Sequence, residues 1–178
     1  KLLITHGLSG SGKSHLTAQL PALMPLVRIR SDVERKRLAG LAPQQAGDAA
    51  LYAPAMTERT YSHLAEAARA ILASGRPALI DATFLQQAQR QRFRQLAEGL
   101  GVEFVILDFD LPQAELERRI SQRSAAREDA SDADLAVLQQ QIRHAEPLSA
   151  EELAQCLRLE QHQADAHKLQ QLLGARDG

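Results

Sequence analysis

Lys1-Leu2-Leu3-Ile4-Thr5-His6-Gly7-Leu8-Ser9-Gly10-Ser11-Gly12-Lys13-Ser14 opens the chain, and its reading decides the fold. The apolar run up to His6 predicts a strand buried on both faces, as in a parallel sheet. Gly7 to Ser14 fits the phosphate-loop pattern G-x-x-x-x-G-K-[ST] at every fixed position. Such a loop turns successive backbone N–H groups inward around a polyphosphate. Only residues without a bulky Cβ bend that tightly, hence Gly7, Gly10 and Gly12. The helix that follows presents its positive end to the same phosphates. Ser9, Gly10, Ser11, Gly12, Lys13, Ser14 and His15 are the candidate contacts to a nucleoside triphosphate. Lys13 is placed to bridge the β- and γ-phosphates, and the Ser14 hydroxyl to ligand Mg²⁺.

Outward from the loop, strands and helices alternate. A helix is expected from Lys13 to about Leu23, ended by Pro21 and Pro25. Leu26 to Arg30 reads as a second strand and Val33 to Leu41 as a short basic helix. A long helix is expected from about Ala53 to Ala73, with Tyr61, Leu64, Ala68, Ile71 and Leu72 on its buried face. Ala78 to Asp81 is a third strand, Gln86 to Leu100 a helix stopped by Gly101, and Glu103 to Phe109 a fourth strand. Pro112 opens a further helix. Ser131 to Asp134 has capping-box spacing for one that ends near Ala145. Ser149 to Glu152 could cap a short helix, Cys156 to Leu159 could form an edge strand, and a last helix ends near Gly174. This order predicts an α/β domain with a mainly parallel sheet, one domain over residues 1–178. The Gln clusters at 86–87, 139–141 and 170–171 are assigned to helical surfaces without chemistry.

Composition narrows the function classes. The chain has 178 residues, 21 Lys plus Arg against 22 Asp plus Glu, and a formal charge of −1. That balance argues against a globally basic nucleic-acid binder. Four Phe, two Tyr and no Trp leave little for a base-stacking platform. One cysteine, Cys156, excludes an internal disulfide framework and favours a reducing, cytoplasmic setting. No apolar run approaches the ~18 residues of a membrane span, so no membrane partner is expected. Because the chain begins at Lys1, we expect a domain cut from a longer protein. Arg28, Arg30, Arg35, Lys36 and Arg37 crowd one stretch, and Arg118, Arg119, Arg123 and Arg127 another.

In an open parallel sheet, ligands bind at the carboxyl ends of the strands. Asp32, Asp81 and Asp108/Asp110 fall there. Phosphoryl transfer to a hydroxyl needs one carboxylate near Mg²⁺ and another near the acceptor. Asp32 lies between Arg30 and Arg35, cations that hold it ionised and could grip an anionic acceptor. It could equally cap the following helix. Asp81 is the candidate for the metal, directly or through water, with Thr83 adding a hydroxyl. Arg119, Arg123 and Arg127 share one helix face by their spacing of four and could close over the nucleotide. His6 has no metal-ligand spacing.

Gly7 to Ser14, Arg30-Ser31-Asp32 with Arg35-Lys36-Arg37-Leu38, Asp81-Ala82-Thr83 and the Arg-rich segment closing in Asp129 to Ala133 together resemble small P-loop kinases. The nearest group is the AAA-type kinase domains, relatives of zeta toxins, polynucleotide 5′-kinases, gluconate kinase and chloramphenicol phosphotransferase. The resemblance implies a three-layer P-loop NTPase fold with a five-stranded parallel sheet in the order 2-3-1-4-5, helices on both faces and an Arg-rich helical lid near residues 115–135. It implies ATP and Mg²⁺ as cofactors, Asp32 as acceptor-side base, and Lys13 and Arg123 as catalytic contacts. Arg119, Arg123 and Arg127 would be the lid arginines. Close relatives often follow an aminoglycoside phosphotransferase-like domain, which makes a fused N-terminal partner an expectation. Asp81 lacks the long β-branched strand that usually leads into a Walker B carboxylate.

Two readings compete. One is a kinase acting on a hydroxyl of a small molecule or a nucleic-acid 5′ end, with Arg30, Asp32, Arg35 and Thr83 as acceptor contacts. The other is a non-catalytic ATP-binding module that regulates a fused partner. A plain ATPase is disfavoured, since no glutamate placed for water activation follows the strands.

Overall fold

The computed structural model describes residues 1–45, 47, 49–126, 135–159 and 165–174, the side chains of 123–126 excepted. Five strands form one sheet: β1 (Leu2–His6), β2 (Val27–Arg30), β3 (Ala78–Asp81), β4 (Phe104–Asp108) and β5 (Cys156–Arg158). Their order is β2-β3-β1-β4-β5 and every pairing is parallel. This is the P-loop NTPase fold. Central β1 is apolar at each of its first three residues because both sheet faces are covered. Leu2 and Ile4 pack with Leu64, Ala68, Phe93 and Phe104 on one face. Leu3 packs with Leu16, Leu20, Leu169 and Leu173 on the other.

The helices of the first face are α4 (Pro54–Ala73) and α5 (Gln87–Gly99). On the opposite face lie α1 (Lys13–Thr17), α2 (Leu20–Leu23) and α9 (Ala166–Gly174). The helix expected over Lys13 to Leu23 is therefore two short ones. Pro21 does not end a helix but sits in the first turn of α2, where its missing N–H is harmless. α3 (Ser31–Leu38) begins directly at the end of β2. Its N-cap is Arg30, so Asp32 lies inside the first turn rather than capping the helix. Ile71, expected among the buried face of α4, is half-buried against the core.

α6 (Gln113–Ala126) and α7 (Leu135–His144) form a pair above the strand ends. Leu116, Ile120 and Leu138 make a small apolar cluster of their own, and Leu8 of the phosphate loop packs into it. α8 (Ala150–Ala154) carries the expected Ser149/Glu152 capping box. The capping box expected at Ser131 to Asp134 lies outside the described residues, as does part of the expected lid.

A nucleotide-loop cleft at the strand ends

Gly7, Gly10 and Gly12 all adopt positive φ, at 137°, 85° and 89°. A Cβ on Gly7 would stand 2.5 Å from the Phe109 carbonyl oxygen, and one on Gly10 would stand 3.1 Å from both Ile120 Cγ1 and the Leu116 oxygen. The loop is thus pinched between Phe109, which follows β4, and α6. Lys13 folds back into it: Nζ donates to the Gly7 and Leu8 carbonyls at 2.8 and 2.6 Å and to Ser11 Oγ at 3.1 Å. The ammonium is held within the loop. At the far side, the Ser9 N–H donates to Gln141 Oε1 at 2.9 Å, which ties α7 to the loop.

Ser9, Gly10, Gly12, Lys13, Ser14 and His15 line a cleft of about 620 Å³. Asp32, Arg35, Thr83, Asp81 and Arg119 line the same cleft. Sequence reasoning named all of these. Arg30 is not on the lining; it forms a two-pronged pair with Asp32, donating from Nε and Nη2 at 3.1 and 2.6 Å. Asp32 Oδ1 also accepts from the Val33 N–H at 2.8 Å, so its carboxylate is oriented at the mouth of β2.

Asp81 is buried at the end of β3. Its Oδ2 accepts from Thr17 Oγ1 at 3.0 Å and from Arg28 Nη2 at 2.5 Å. Arg28 also donates to Thr17 Oγ1 and to the Ser14 carbonyl, binding α1 to the sheet edge. Both bonds to Asp81 fall on one carboxylate oxygen. Among the described residues no group of three His, Cys, Asp or Glu side chains is arranged to hold a metal. Ser14 and Asp81 both line the cleft, and one or two protein oxygens together with phosphates and waters make the donor set that Mg²⁺ takes.

Arg119 donates through Nε to Glu115 Oε1 at 2.6 Å, and its Nη1 lies 3.4 Å from where a Gly12 Cβ would be. Glu115 receives Arg118 as well; hydrogen bonds from Arg118 and Arg119 lower the pKa of its carboxyl to about 2. Arg123 belongs to α6, but its side chain, like Arg127, falls outside the described residues. Asp108, weighed as a candidate, is engaged elsewhere: His6 Nδ1 lies 2.7 Å from its Oδ1 and Arg158 Nε donates to its Oδ2 at 3.3 Å.

Sequence reasoning missed the other wall of the cleft. Tyr52, Thr57, Tyr61, Gln86, Gln89, Gln140, Gln141 and His144 contribute to it. The Gln residues assigned to helical surfaces are partly a cleft wall. Arg35 Nη1 donates to the Leu51 carbonyl at 2.7 Å and to Thr57 Oγ1 at 3.1 Å, and its guanidinium lies 5.2 Å from the Tyr52 ring centroid. Burial holds it below the ordinary arginine range, with the Tyr61, Tyr52 and Asp32 charges opposing. Phe84, after Thr83, is the only described non-glycine residue at positive φ, 48°. Its ring is fixed edge-on between Tyr61 and Phe93 at 5.1 and 4.9 Å. Its carbonyl accepts from Arg90 at 3.0 Å. That packing maintains a backbone conformation a bulky residue rarely adopts, and with it the course of Thr83 to Gln86 along the cleft.

A chain with this loop, this sheet order and this cleft is a P-loop NTPase-fold protein, and it belongs to the AAA domain family, which matches residues 2–148. No curated protein matched it. Its structure is similar to that of a sugar kinase from a Janibacter species, at 21% identity and a TM-score of 0.71, covering 99% of this chain and 94% of that one. A putative kinase from Chloroflexus aurantiacus gives 20% identity and a TM-score of 0.75 over 98% and 96% of the two chains. The APS kinase of Mycobacterium tuberculosis, solved with AMPPNP and APS, gives 19% and 0.67 over 100% and 98%. At these identities the likeness is one of fold. Among the described residues no helix is long and apolar enough to cross a membrane.

Proposed function

We propose that this chain is a kinase that transfers the γ-phosphoryl group of Mg·ATP to an alcohol hydroxyl of a small molecule. The observation that carries the reading is that one continuous cleft joins the phosphate loop to Asp32, a carboxylate fixed in orientation at the end of the neighbouring strand. The fold shared with structures described as kinases, one of them holding a nucleotide analogue and its acceptor, supports it.

In this reading the phosphate loop from Gly10 to Ser14 and the Lys13 ammonium hold the β- and γ-phosphates, and His15 flanks them. Asp32 accepts the acceptor's hydroxyl proton as its oxygen bonds to the γ-phosphorus and the bond to ADP breaks. Arg30 keeps the Asp32 carboxylate aimed, while Thr83 and Arg35 orient the acceptor. Arg119, with Arg123 and Arg127, offsets charge that moves onto the leaving phosphate. The Ser14 hydroxyl and Asp81, the latter through water, would hold Mg²⁺, which when bound neutralises charge on the β- and γ-oxygens.

A nucleic-acid end is the weaker acceptor. The basic stretch from Arg28 to Arg37 is consumed internally: Arg28 pairs with Asp81, Arg30 with Asp32 and Arg37 with Glu34, and Lys36 is buried. Little of it is left to track a phosphate backbone. The test is product analysis by ³¹P NMR. The kinase reading expects phosphate on the acceptor; phosphate released only to water makes the chain an ATPase, and neither product makes it a binding module.

A further inference from the structure

One side chain of the α6–α7 pair reaches the phosphate loop itself. Gln141, on α7, accepts the Ser9 N–H through Oε1 at 2.9 Å. The spacing of α7 explains how. Val137, Gln140, Gln141 and His144 stand at i, i+3, i+4 and i+7, which is one helical face, and all four line the cleft. Leu138 and Ile142 occupy the neighbouring face and pack into the apolar cluster with Leu8, Leu116 and Ile120. Polar contacts fix the helix on two further sides. Gln139 Nε2 donates to Glu117 Oε1 at 3.2 Å, and the His144 carbonyl accepts from Gln86 Nε2. Just beyond the helix, the Glu146 N–H donates to the Leu85 carbonyl at 2.9 Å. Gln141 is thus an amide held in place by its support, not a loose surface group.

The chemistry of the contact matters more than its presence. A loop N–H needs an acceptor, and a carboxylate would serve it equally well, but at the cost of a negative charge beside the phosphates. A glutamine accepts through one atom and donates through another. A backbone N–H must meet the amide oxygen, so the NH₂ group is the atom left over. Among the described residues Gln141 Nε2 has no hydrogen-bond partner, and the bond to Oε1 polarises the amide and makes Nε2 a better donor. Gly12, Lys13, Ser14 and Asp32 line the same cleft. The nucleotide part that lies between the loop and Asp32 is the terminal phosphoryl group, not the base.

We propose that Gln141 reads the terminal phosphate: Oε1 stays on the Ser9 N–H while Nε2 donates to a γ-phosphoryl oxygen, so that the chain distinguishes a nucleoside triphosphate from a diphosphate. This role rests on the part of the kinase reading that puts a nucleotide on the loop, and not on the acceptor. The amide is neutral and adds a donor without adding charge. Once the phosphoryl group has left, Nε2 has lost its partner and ADP is held by one bond fewer.

The test compares the affinities of the full chain for Mg·AMPPNP and Mg·ADP by calorimetric titration, in the wild type and two variants. Gln141→Met removes both halves of the amide at nearly constant volume. Gln141→Glu keeps an acceptor for the Ser9 N–H and puts an anion where the donor stood. Loss of one hydrogen bond to a charged group should lower AMPPNP affinity about 10- to 100-fold in Gln141→Met, with ADP affinity unchanged. Gln141→Glu should lose AMPPNP at least as strongly, and more than it loses ADP. If a thermal melt finds one variant unfolded, the other decides alone. Equal losses of AMPPNP and ADP make Gln141 a strut for the loop and overturn the proposal. So do AMPPNP affinities that match the wild type in both variants. A wild-type chain that binds neither nucleotide overturns the proposal together with the kinase reading. A selective loss of AMPPNP, in a chain that phosphorylates no acceptor, keeps the proposal and removes the kinase reading alone.

Discussion

Arg28 Nη2 donates to Asp81 Oδ2 across the β2–β3 edge, and the same arginine grips the Thr17 hydroxyl and the Ser14 carbonyl. This pair couples the residue offered to Mg²⁺ to the base of the phosphate loop. The side chains are 14% and 2% exposed, so the two groups are buried against each other.

Removing one partner of a buried pair leaves the other uncompensated, at a cost of about 3–5 kcal/mol. Arg28→Met should lower the melting temperature by roughly 6–20 °C, at about 2–4 °C per kcal/mol for a chain of this size. A variant that melts with the wild type would mean that Asp81 is hydrated rather than buried.

Asp81→Asn keeps hydrogen-bonding capacity at the strand end but removes the charge. If Asp81 acts on the metal through water, the Mg²⁺ concentration for half-maximal turnover should rise about 10- to 100-fold, with the acceptor KM unchanged. An unchanged Mg²⁺ requirement assigns Asp81 to holding Arg28 and Thr17 alone.

Gly7→Ala drives a methyl to 2.5 Å from the Phe109 carbonyl at a φ of 137°. The loop must shift, and nucleotide affinity should fall by more than 100-fold or the chain should fail to fold. Gly75→Ala, where nothing lies within 4 Å, serves as the control. It should cost about 1–2 kcal/mol of stability, since only the left-handed backbone is strained, and leave nucleotide binding alone. Equal effects of the two would contradict the pinched loop.

Stability should fall in acid. Burial opposes ionisation of Asp108, but hydrogen bonds and charge from His6 and Arg158 outweigh it; Arg90 and the Ser149 N–H do the same for Glu152. Both carboxyls are held below their ordinary values. Their contribution is complete above the ordinary range near pH 4 and is lost as pH falls through the lower folded values. The urea midpoint should drop steadily below about pH 4, and Asp108→Asn or Glu152→Gln should flatten that drop. A midpoint independent of pH between 5 and 2 would contradict both pairings.

The sheet was legible because each strand is a short apolar run ended by a loop residue with its own chemistry. Gly7 to Ser14, Ser31-Asp32 and Asp81 mark three strand ends outright. Pro21 misleads because proline ends one helix and starts another with equal ease, and only the chain's course decides. Lys13, Asp32 and Arg119 could be named because local spacing carries their meaning. Gln141 could not, since its bond to the Ser9 N–H spans 132 residues. Nor could the pairing of Arg28 with Asp81 at a separation of 53, which takes one cation out of an apparent basic patch.

The most direct test of the account is ADP release from Mg·ATP by the wild-type chain, Lys13→Ala and Asp32→Asn, with sugars, sugar acids, aminoglycosides, nucleosides and 5′-hydroxyl oligonucleotides as acceptors and an acceptor-free control. The account predicts that one acceptor class stimulates release and that Lys13→Ala abolishes it. It predicts that Asp32→Asn lowers kcat about 10²- to 10⁴-fold while ATP affinity is retained. Tight ATP binding with no acceptor stimulating release, or an Asp32→Asn variant that turns over like the wild type, would contradict it.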